Sequence, residues 1–355
     1  MAAGPEQVGD VMMKVPGARS LAKAMRLKQL LAAVILLSAP GCSRAQSNGD
    51  ASSLILERTI PLPGVAGRID HLAADERQSR VFVAELGNGS VDVVDLKNGH
   101  VRRIANLKSP QGLGYAETRD ELVVASGGDG SVRFFNGNSL TQSASLRLGS
   151  DADDVRIDVG TGQVVVGYDS GALAFIEPAQ HTIIKTIALQ AHPEGFSIDS
   201  STRRAFVNLP DDRSIVAVDL DKGAVVARWP AQHLMNFPMA LDPQSKTLAI
   251  VYRLPARLVL LDEESGTVKQ DLPTCGDADD VYFDARHRRI YVSCGSGSID
   301  VFKRGEAGYS HLASIASERG ARTALFAPEF DRLFVAARAK NRKGESGLLV
   351  YRPGP

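Results

Sequence analysis

The chain has 355 residues, and its 41 Lys and Arg residues balance its 41 Asp and Glu residues, so the formal net charge is zero. This balance argues against a nucleic-acid partner, because an electrostatic grip on DNA or RNA needs a basic stripe. The sequence contains no Gly-rich phosphate loop, no GxSxG nucleophile elbow and no HExxH zinc motif. The common signatures of nucleotide binding and of several hydrolase classes are therefore absent.

The N-terminal 50 residues have the layout of a bacterial export signal. Arg26 and Lys28 precede an apolar run, Leu30–Pro40, which at about eleven residues is too short to span a bilayer as a helix. We predict that residues 1–24 are an extension upstream of a true start at Met25. Residues 25–42 are then a lipoprotein-like signal, and residues 43–53 are a flexible tether.

Two kinds of processing fit this segment. Cys42 is placed to become the lipidated first residue, although Ala39 stands three residues before it, where Leu is usual. The alternative is ordinary signal cleavage after Ala45. Either route predicts a periplasmic or cell-envelope protein, which touches the membrane only through a lipid anchor.

A short apolar stretch followed by a polar residue recurs seven times at intervals of 41 to 43 residues. It begins at Leu72, Leu113, Val155, Phe196, Met239, Val281 and Ala324. A period in the low forties built from short alternating strands is typical of a β-propeller with one four-stranded blade per repeat. The sequence therefore predicts an all-β, seven-bladed propeller over residues 54–355, which we expect to be a monomer.

In the first repeat, Leu72–Asp75, Arg80–Ala84, Val91–Asp95 and Val101–Leu107 read as strands A to D. The seventh repeat lacks a strand D, and we predict that the strand-like run Leu54–Ile60 supplies it. This closure removes the exposed edges that an open ring would leave. The seventh repeat is also stretched by a basic insert, residues 339–347, which predicts an exposed loop.

Candidate functional residues stand just before each strand A, where propeller loops surround one mouth of the central channel. Superposed repeats give Asp70 and His71; Gln111; Asp153 and Asp154; His192 and Glu194; Asn236; Asp279 and Asp280; and Arg322. Six are carboxylates, and carboxylates crowded together favour proton uptake or a bound cation. We therefore expect a ligand site here, with a possible divalent metal ion on Asp154 and Asp280.

A structural explanation of this ring stays open. An Asp at the entry to a strand often caps the loop by accepting backbone N–H bonds, and repetition follows from duplication without any ligand. For the Asp residues that follow strand A, turn formation is the favoured interpretation; they are Asp75, Asp158, Asp199, Asp242 and Asp284.

Cys275 and Cys294 are the two cysteines that remain if Cys42 carries lipid. They lie 19 residues apart, one before strand A and one at the end of strand B of the sixth repeat, so a hairpin brings them to the same face. In an oxidising compartment this placement favours a disulfide, and two unreactive thiols are the alternative.

Several phrases resemble the bacterial YncE family of secreted propellers, which carry repeats of the YVTN type. They include Gly149-Ser-Asp-Ala-Asp-Asp-Val155, His192-Pro-Glu-Gly-Phe196, Asn236-Phe-Pro-Met-Ala-Leu-Asp242 and Cys275-Gly-Asp-Ala-Asp-Asp280. The likeness covers roughly residues 54–353, although no strict YVTN tetrapeptide is present. It implies an exported propeller that acts as a binding or scaffold protein.

Two functions from different classes follow from the sequence. The first is a non-enzymatic envelope protein that binds a small molecule, a metal ion or an envelope partner protein at the channel mouth. The second is a hydrolase of the lactonase type, in which His71, Glu194 and Arg322 act as base, acid and oxyanion clamp. The second function requires these three side chains to converge on one small molecule.

Overall fold

A computed structural model describes residues 53–339 and 344–355. This part of the chain forms seven four-stranded antiparallel sheets and contains no helix. The inner strands contact one another around a central channel, and the first inner strand contacts both the second and the last. The all-β, seven-bladed propeller predicted from the repeat is therefore confirmed. In the described ranges, no helix is long and apolar enough to cross a membrane.

The strands follow in chain order, with the innermost strand of each blade first. Blades 1 to 3 comprise β2 (Leu72–Asp75), β3 (Arg80–Glu85), β4 (Ser90–Asp95) and β5 (Val101–Ile104); β6 (Pro110–Ala116), β7 (Glu121–Ser126), β8 (Ser131–Asn136) and β9 (Gln142–Arg147); and β10 (Val155–Ile157), β11 (Val164–Tyr168), β12 (Ala172–Glu177) and β13 (Thr182–Ala188).

Blades 4 to 6 comprise β14 (Phe196–Asp199), β15 (Arg204–Leu209), β16 (Ser214–Asp219) and β17 (Ala224–Pro230); β18 (Leu234–Asp242), β19 (Thr247–Leu254), β20 (Ala256–Asp262) and β21 (Val268–Pro273); and β22 (Ala278–Asp284), β23 (Arg289–Cys294), β24 (Ser298–Gly305) and β25 (Gly308–Ala316). Blade 7 comprises β26 (Ala324–Ala327), β27 (Arg332–Ala337), β28 (Ser346–Pro353) and the N-terminal strand β1 (Leu54–Leu62).

Strand β1 closes the ring as the outer strand of blade 7. It pairs antiparallel with β28 from Leu54 opposite Pro353 to Leu62 opposite Ser346. Leu54, Ile60 and Leu62 are buried, whereas the middle of the strand faces solvent. The N-terminal strand therefore supplies the fourth strand of the sheet that the C-terminal segment leaves incomplete.

Burial falls from the middle of each blade to its rim. Strand β3 is buried along its whole length, whereas the outer strand β9 alternates between exposed and half-buried residues. The apolar core lies between neighbouring blades: Phe82 and Val91 of blade 1 pack with Leu122 and Val124 of blade 2. Each blade thus depends on its neighbours for burial, as in other repeat proteins.

The Asp residues that follow strand A form turns, as predicted. Asp75 accepts a backbone N–H bond from Gln78 at 3.1 Å, and Asp284 accepts one from His287 at 3.0 Å. Equivalent bonds from nearby backbone N–H groups reach Asp158, Asp199 and Asp242. These carboxylates lie at the end of the channel opposite the candidate site.

Candidate functional site at the channel mouth

A narrow cavity of about 40 Å³ lies at the mouth of the channel. Its walls include seven of the residues that repeat superposition singles out, and these are Asp70, His71, Asp153, Asp154, Glu194, Asp279 and Asp280. The remaining four, Gln111, His192, Asn236 and Arg322, lie outside its lining. The cavity is far smaller than the 300 Å³ or more of an ordinary small-molecule pocket, so it admits water or one small group.

Arginines that the repeat pattern does not reveal balance the carboxylates. Arg68 and Arg156 also line the cavity. Arg68 Nη2 lies 3.1 Å from Asp70 Oδ2, and Arg156 donates to Asp154. Unpaired charges are costly to bury, and these pairs lower that cost. The mouth is therefore a mixed-charge cluster, and Arg68 and Arg156 add to the cationic groups His71, His192 and Arg322 that repeat superposition predicts.

Asp279 lies between two arginines of neighbouring blades. It accepts a bond from Arg253, and its Oδ2 lies 2.9 Å from Arg322 Nε. Arg322 Nη1 also donates to Asp277 at 2.9 Å. The Arg253 guanidinium stacks over the ring of Phe237, 4.2 Å from its centroid. Asp279 is thereby linked to blades 5 and 7.

Two of the carboxylates bridge neighbouring blades. Asp280 of blade 6 accepts a bond from the backbone N–H of Ala324, the first residue of the inner strand of blade 7, at 2.7 Å. Asp154 of blade 3 accepts a weaker one from the N–H of Phe196, the first residue of β14, at 3.4 Å. For these two residues the capping explanation holds, with the capped strand in the next blade.

Burial and mutual repulsion alter the protonation of three carboxyl groups. Loss of solvation raises the pKa of Asp70 to about 6, even though His71 and Arg68 oppose the shift. Burial, together with the negative charge of Asp153, raises the pKa of Glu194 to about 7. Burial likewise raises the pKa of Asp280 to about 7. Burial is the largest cause of all three shifts, and repulsion from neighbouring carboxylates adds to it, so the mouth favours the protonated form of these groups.

The two histidines of the mouth are biased toward the charged form. Burial alone would lower the pKa of His71, but the surrounding carboxylates outweigh it and raise the value to about 9. Interaction with Asp153 raises the pKa of His192 to about 9. Both imidazole Nε2 atoms lie 3.9 Å from Asp153, and these attractions keep the pKa of Asp153 below its usual range despite burial.

Three buried carboxylate oxygens at the mouth accept no hydrogen bond from the described residues. They are Asp70 Oδ2, Asp153 Oδ1 and Asp279 Oδ2. Arg322 Nε lies 2.9 Å from Asp279 Oδ2 and Arg68 Nη2 lies 3.1 Å from Asp70 Oδ2, so both oxygens face a guanidinium without the geometry of a hydrogen bond. Buried acceptors are nearly always satisfied in folded proteins, so these oxygens call for a donor.

Gln111 and Asn236 differ in their relation to the mouth. Gln111 lies close enough to Asp153 to help keep the pKa of that carboxyl low. Asn236 is fully buried and points between blades, where its amide donates to the carbonyl of Ser214 at 3.1 Å and to Asn208 Oδ1 at 3.3 Å. Asn236 therefore supports blade packing, and it does not face the cavity.

Two glycines let the loops of adjacent blades approach closely. A Cβ on Gly112 would overlap the carbonyl of Asp153, and one on Gly195 would lie 2.6 Å from the carbonyl of Phe237. Each glycine follows directly after a predicted site residue in the sequence, Gln111 and Glu194 respectively. Both glycines stand directly before the apolar stretch of strand A in their repeats. A glycine at this position indicates a close approach of two backbones, and superposition of the polar residues does not show it.

The side chains of the mouth are poorly suited to a divalent metal. Asp154 is engaged by Arg156, while Asp280 receives the Ala324 N–H and lies 3.3 Å from the Tyr282 hydroxyl. Across residues 53–339 and 344–355, no group of three or more His, Cys, Asp and Glu residues is arranged to hold a metal ion. Asp154 and Asp280 therefore have protein partners where the predicted metal ion would bind.

The geometry gives the hydrolase hypothesis little support. His71 and Glu194 line the same cavity, whereas Arg322 lies outside its lining and is held by Asp277 and Asp279. An imidazole with a pKa of about 9 is mostly protonated at neutral pH, which suits it poorly to act as a general base. A cavity of about 40 Å³ also leaves no room for a lactone ring.

A disulfide holds the loop that carries part of the site. Cys275 and Cys294 are bonded, and they join the segment before β22 to the end of β23. Cys294 is fully buried, and Asp277 and Asp279 follow Cys275 closely in the chain. The bond thus limits the freedom of the loop that presents the partners of Arg253 and Arg322.

Comparison with known proteins supports the architecture and nothing finer. No family model matches the chain, and no curated protein matches it. Among solved structures, a chain of the Kuenenia stuttgartiensis hydrazine synthase is similar with a TM-score of 0.69 and 14% identity, over 78% of this chain and 95% of that one. A chain of a mitotic checkpoint complex matches with a TM-score of 0.72 and 15% identity, over 92% of this chain and 99% of that one.

These identities are low enough that only the fold carries over. Solved structures that match number 1807 chains, so the architecture is too common to select a function. The resemblance to the YncE family rests on the sequence phrases alone. The function must be argued from the site.

Proposed function

We propose that this protein is a non-enzymatic β-propeller of the bacterial cell envelope, and that its channel mouth binds a ligand through a hydrogen-bond-donating group. The observation that carries the proposal is the set of three buried, unsatisfied oxygens on Asp70, Asp153 and Asp279. They come from the loops that precede three different inner strands, so their convergence is a property of the ring and not of one turn.

The charge of the mouth supports a donor in preference to an acceptor. Six carboxyl groups line the cavity with only Arg68, His71 and Arg156 as cationic lining residues. The raised pKa values of Asp70 and Glu194 reflect burial first and neighbouring charge second. A cationic or neutral donor relieves both effects, whereas an anion adds to the repulsion.

The volume of the cavity limits what enters it. About 40 Å³ accommodates one ammonium, hydroxyl or amide group, and the rest of the ligand then lies across the opening. A Lys side chain, a terminal amine or an amino sugar has the required chemistry. This arrangement suits recognition of one group on a larger molecule.

Calorimetric melting in the presence of simple ammonium ions tests the proposal. We expect methylammonium to raise the melting temperature, because it donates N–H bonds, and tetramethylammonium of equal charge to leave it unchanged. At ten times its dissociation constant, methylammonium would add about 1.4 kcal/mol to the free energy of unfolding. Asp153→Asn should remove the effect, and Asp211→Asn, on an exposed loop of the same face, should keep it.

Two outcomes contradict the proposal. An equal shift with both ammonium ions would show that only charge screening is involved. No shift with either ion, combined with destabilisation of Asp153→Asn in buffer alone, would show that the mouth is a structural ion-pair network.

Export is the second part of the proposal. It is supported by the basic, apolar and Gly41-Cys42 sequence pattern, which lies outside the described residues. Mass spectrometry of the native N-terminus tests it: a diacylglyceryl group on Cys42 or a first residue Gln46 supports export. An intact Met1 on cytoplasmic protein would refute it.

A further inference from the structure

We infer that a second site, for an oxyanion, lies beside the channel mouth in a cleft between the loops of blades 7 and 1. The cleft has a volume of about 740 Å³ and is lined by Arg68, Arg319 and Arg338, together with Ser317. It falls within the range of small-molecule sites, unlike the mouth itself. The inference goes beyond the function proposed above, and of the residues named here only Arg68 also lines the mouth cavity.

The cationic side chains of the cleft come from three separate loops. Arg68 precedes β2, Arg319 precedes β26, and Arg338 follows β27. One carboxylate, Glu318, lies among the described lining residues beside these three guanidinium groups. In the described part of the chain, no carboxylate lies within ion-pair distance of Arg319 or Arg338. Arg319 and Arg338 are both exposed, so a ligand can reach them.

Arg338 is held by the shape of the cleft wall. A Cβ on Gly320 would overlap the Arg338 guanidinium, so the missing side chain of Gly320 makes room for it. Gly320 also has a positive φ of 82°, a conformation that glycine adopts without strain. The guanidinium thus packs against backbone in a position that no other residue at 320 would permit.

A hydroxyl group adds a polar contact that the fold does not use. Ser317 Oγ is buried at the cleft and has no hydrogen-bond partner among residues 53–339 and 344–355. A buried polar atom without a partner is costly, and an anion oxygen or an ordered water would satisfy it. Three guanidinium groups and the Ser317 hydroxyl give the cleft more donors than its one carboxylate, Glu318, can balance, and this excess suits an oxyanion.

The chemical class follows from guanidinium geometry. Arginine pairs with planar carboxylates and with phosphate oxygens through two parallel N–H bonds, and these charge-assisted bonds are the strong ones. The cleft therefore suits a multiply charged phosphate or polycarboxylate. Because it stands open to solvent beside Arg68, which lines both sites, the ligand enters from the same face as the channel mouth.

Titration calorimetry at constant ionic strength tests the inference, with pyrophosphate and citrate as probes and chloride as the background anion. We expect at least one probe to bind with a dissociation constant below 5 mM, and its chemistry then tells phosphate from carboxylate ligands. Arg319→Gln with Arg338→Gln should raise that constant at least tenfold. Ser317→Ala should raise it severalfold without lowering the melting temperature of the free protein.

Arg213→Gln is the matched control. Arg213 is an exposed arginine between β15 and β16 of blade 4, the loop that corresponds to the one carrying Arg338 in blade 7. It should bind the probe as the unaltered protein does. The inference is overturned if neither probe binds up to 10 mM. Unchanged binding in the double arginine variant would overturn it equally, since the anion would then lie elsewhere.

Discussion

At the level of single residues, the mouth is held together by buried charges whose partners are not interchangeable. Arg253 is mostly buried, with 15% of its side chain exposed, and it contacts Asp279, the carbonyl of Ala278 and the ring of Phe237. Arg77 pairs with Glu117 at 3.3 Å, but 65% of its side chain is exposed. Removing one partner from a buried ion pair destabilises a protein far more than removing one partner from an exposed pair.

We therefore predict that Arg253→Met lowers the free energy of unfolding by about 2 to 4 kcal/mol, because Asp279 loses a buried partner while retaining Arg322. Arg77→Met, with the same change in size and charge, should cost less than about 1 kcal/mol. Urea unfolding at pH 7 measures both. An equal fall in the free energy of unfolding in the two variants would show that the ion pairs of the mouth stabilise the protein no more than those on the surface.

The carboxylates of the mouth were readable from the sequence together with His71, His192 and Arg322, whereas Arg68, Arg156 and Arg253 were not. Asp70, Asp153 and Asp279 occupy the same position of the repeat, two residues before the apolar stretch of strand A, so superposition of the repeats predicts that they lie close together. Arg156 is the second residue of β10, a station where other blades carry small, apolar or aromatic residues such as Ala73 and Tyr282. No other blade carries an arginine at this position, so no periodic pattern reveals the positive charge that Arg156 brings to the mouth.

At the level of elements, β1 carries the closure of the ring. Leu54, Ile60 and Leu62 bury their side chains in blade 7. On the solvent side, Glu57 Oε2 lies 2.6 Å from Arg332 Nε, and its Oε1 lies 3.1 Å from Arg352 Nε. The buried apolar residues supply most of the stabilisation, since each contributes roughly 1.5 to 3 kcal/mol while exposed ion pairs contribute less than about 1 kcal/mol.

Deleting residues 54–62 should therefore destabilise the protein by at least roughly 5 kcal/mol and expose the edge of β28 to other chains. We expect aggregation in light scattering and a large fall in the melting temperature. Deletion of residues 46–52, which leaves β1 in place, is the control. A monomeric 54–62 deletion with an unchanged melting temperature would contradict the role assigned to β1.

Strand positions were predictable because alternation and turn residues repeat seven times, but strand ends were not. Strand β4 begins at Ser90, one residue earlier than the apolar pattern indicates, because Ser90 pairs with Glu85 across the turn. Strand β5 ends at Ile104 rather than Leu107. Backbone hydrogen bonding between neighbouring strands decides where a strand begins and ends. The pattern of polar and apolar side chains indicates these ends only indirectly.

At the level of the whole molecule, the mouth links folding to proton uptake. Asp70, Glu194 and Asp280 have folded-state pKa values of about 6 to 7, above those of an unfolded chain. The folded state thus binds protons more tightly, and stability falls as pH rises from about 4 to 7. His71 and His192 have raised pKa values of about 9, so their contribution is complete below about 6.5 and is lost as pH rises through 9.

Both groups act in the same direction, and we therefore predict that the melting temperature falls steadily from pH 5 to pH 9, by about 5 °C or more. The carboxyl groups with lowered pKa values, such as Asp153 and Asp262, oppose this trend only below about pH 4. Glu194→Gln removes one of the raised carboxyl groups without changing its size. It should raise the melting temperature at pH 8, leave it nearly unchanged at pH 5, and so flatten the profile. Calorimetric melts at constant ionic strength decide the matter, because a melting temperature that rises from pH 5 to pH 8 would mean that the mouth does not hold its protons as the geometry implies.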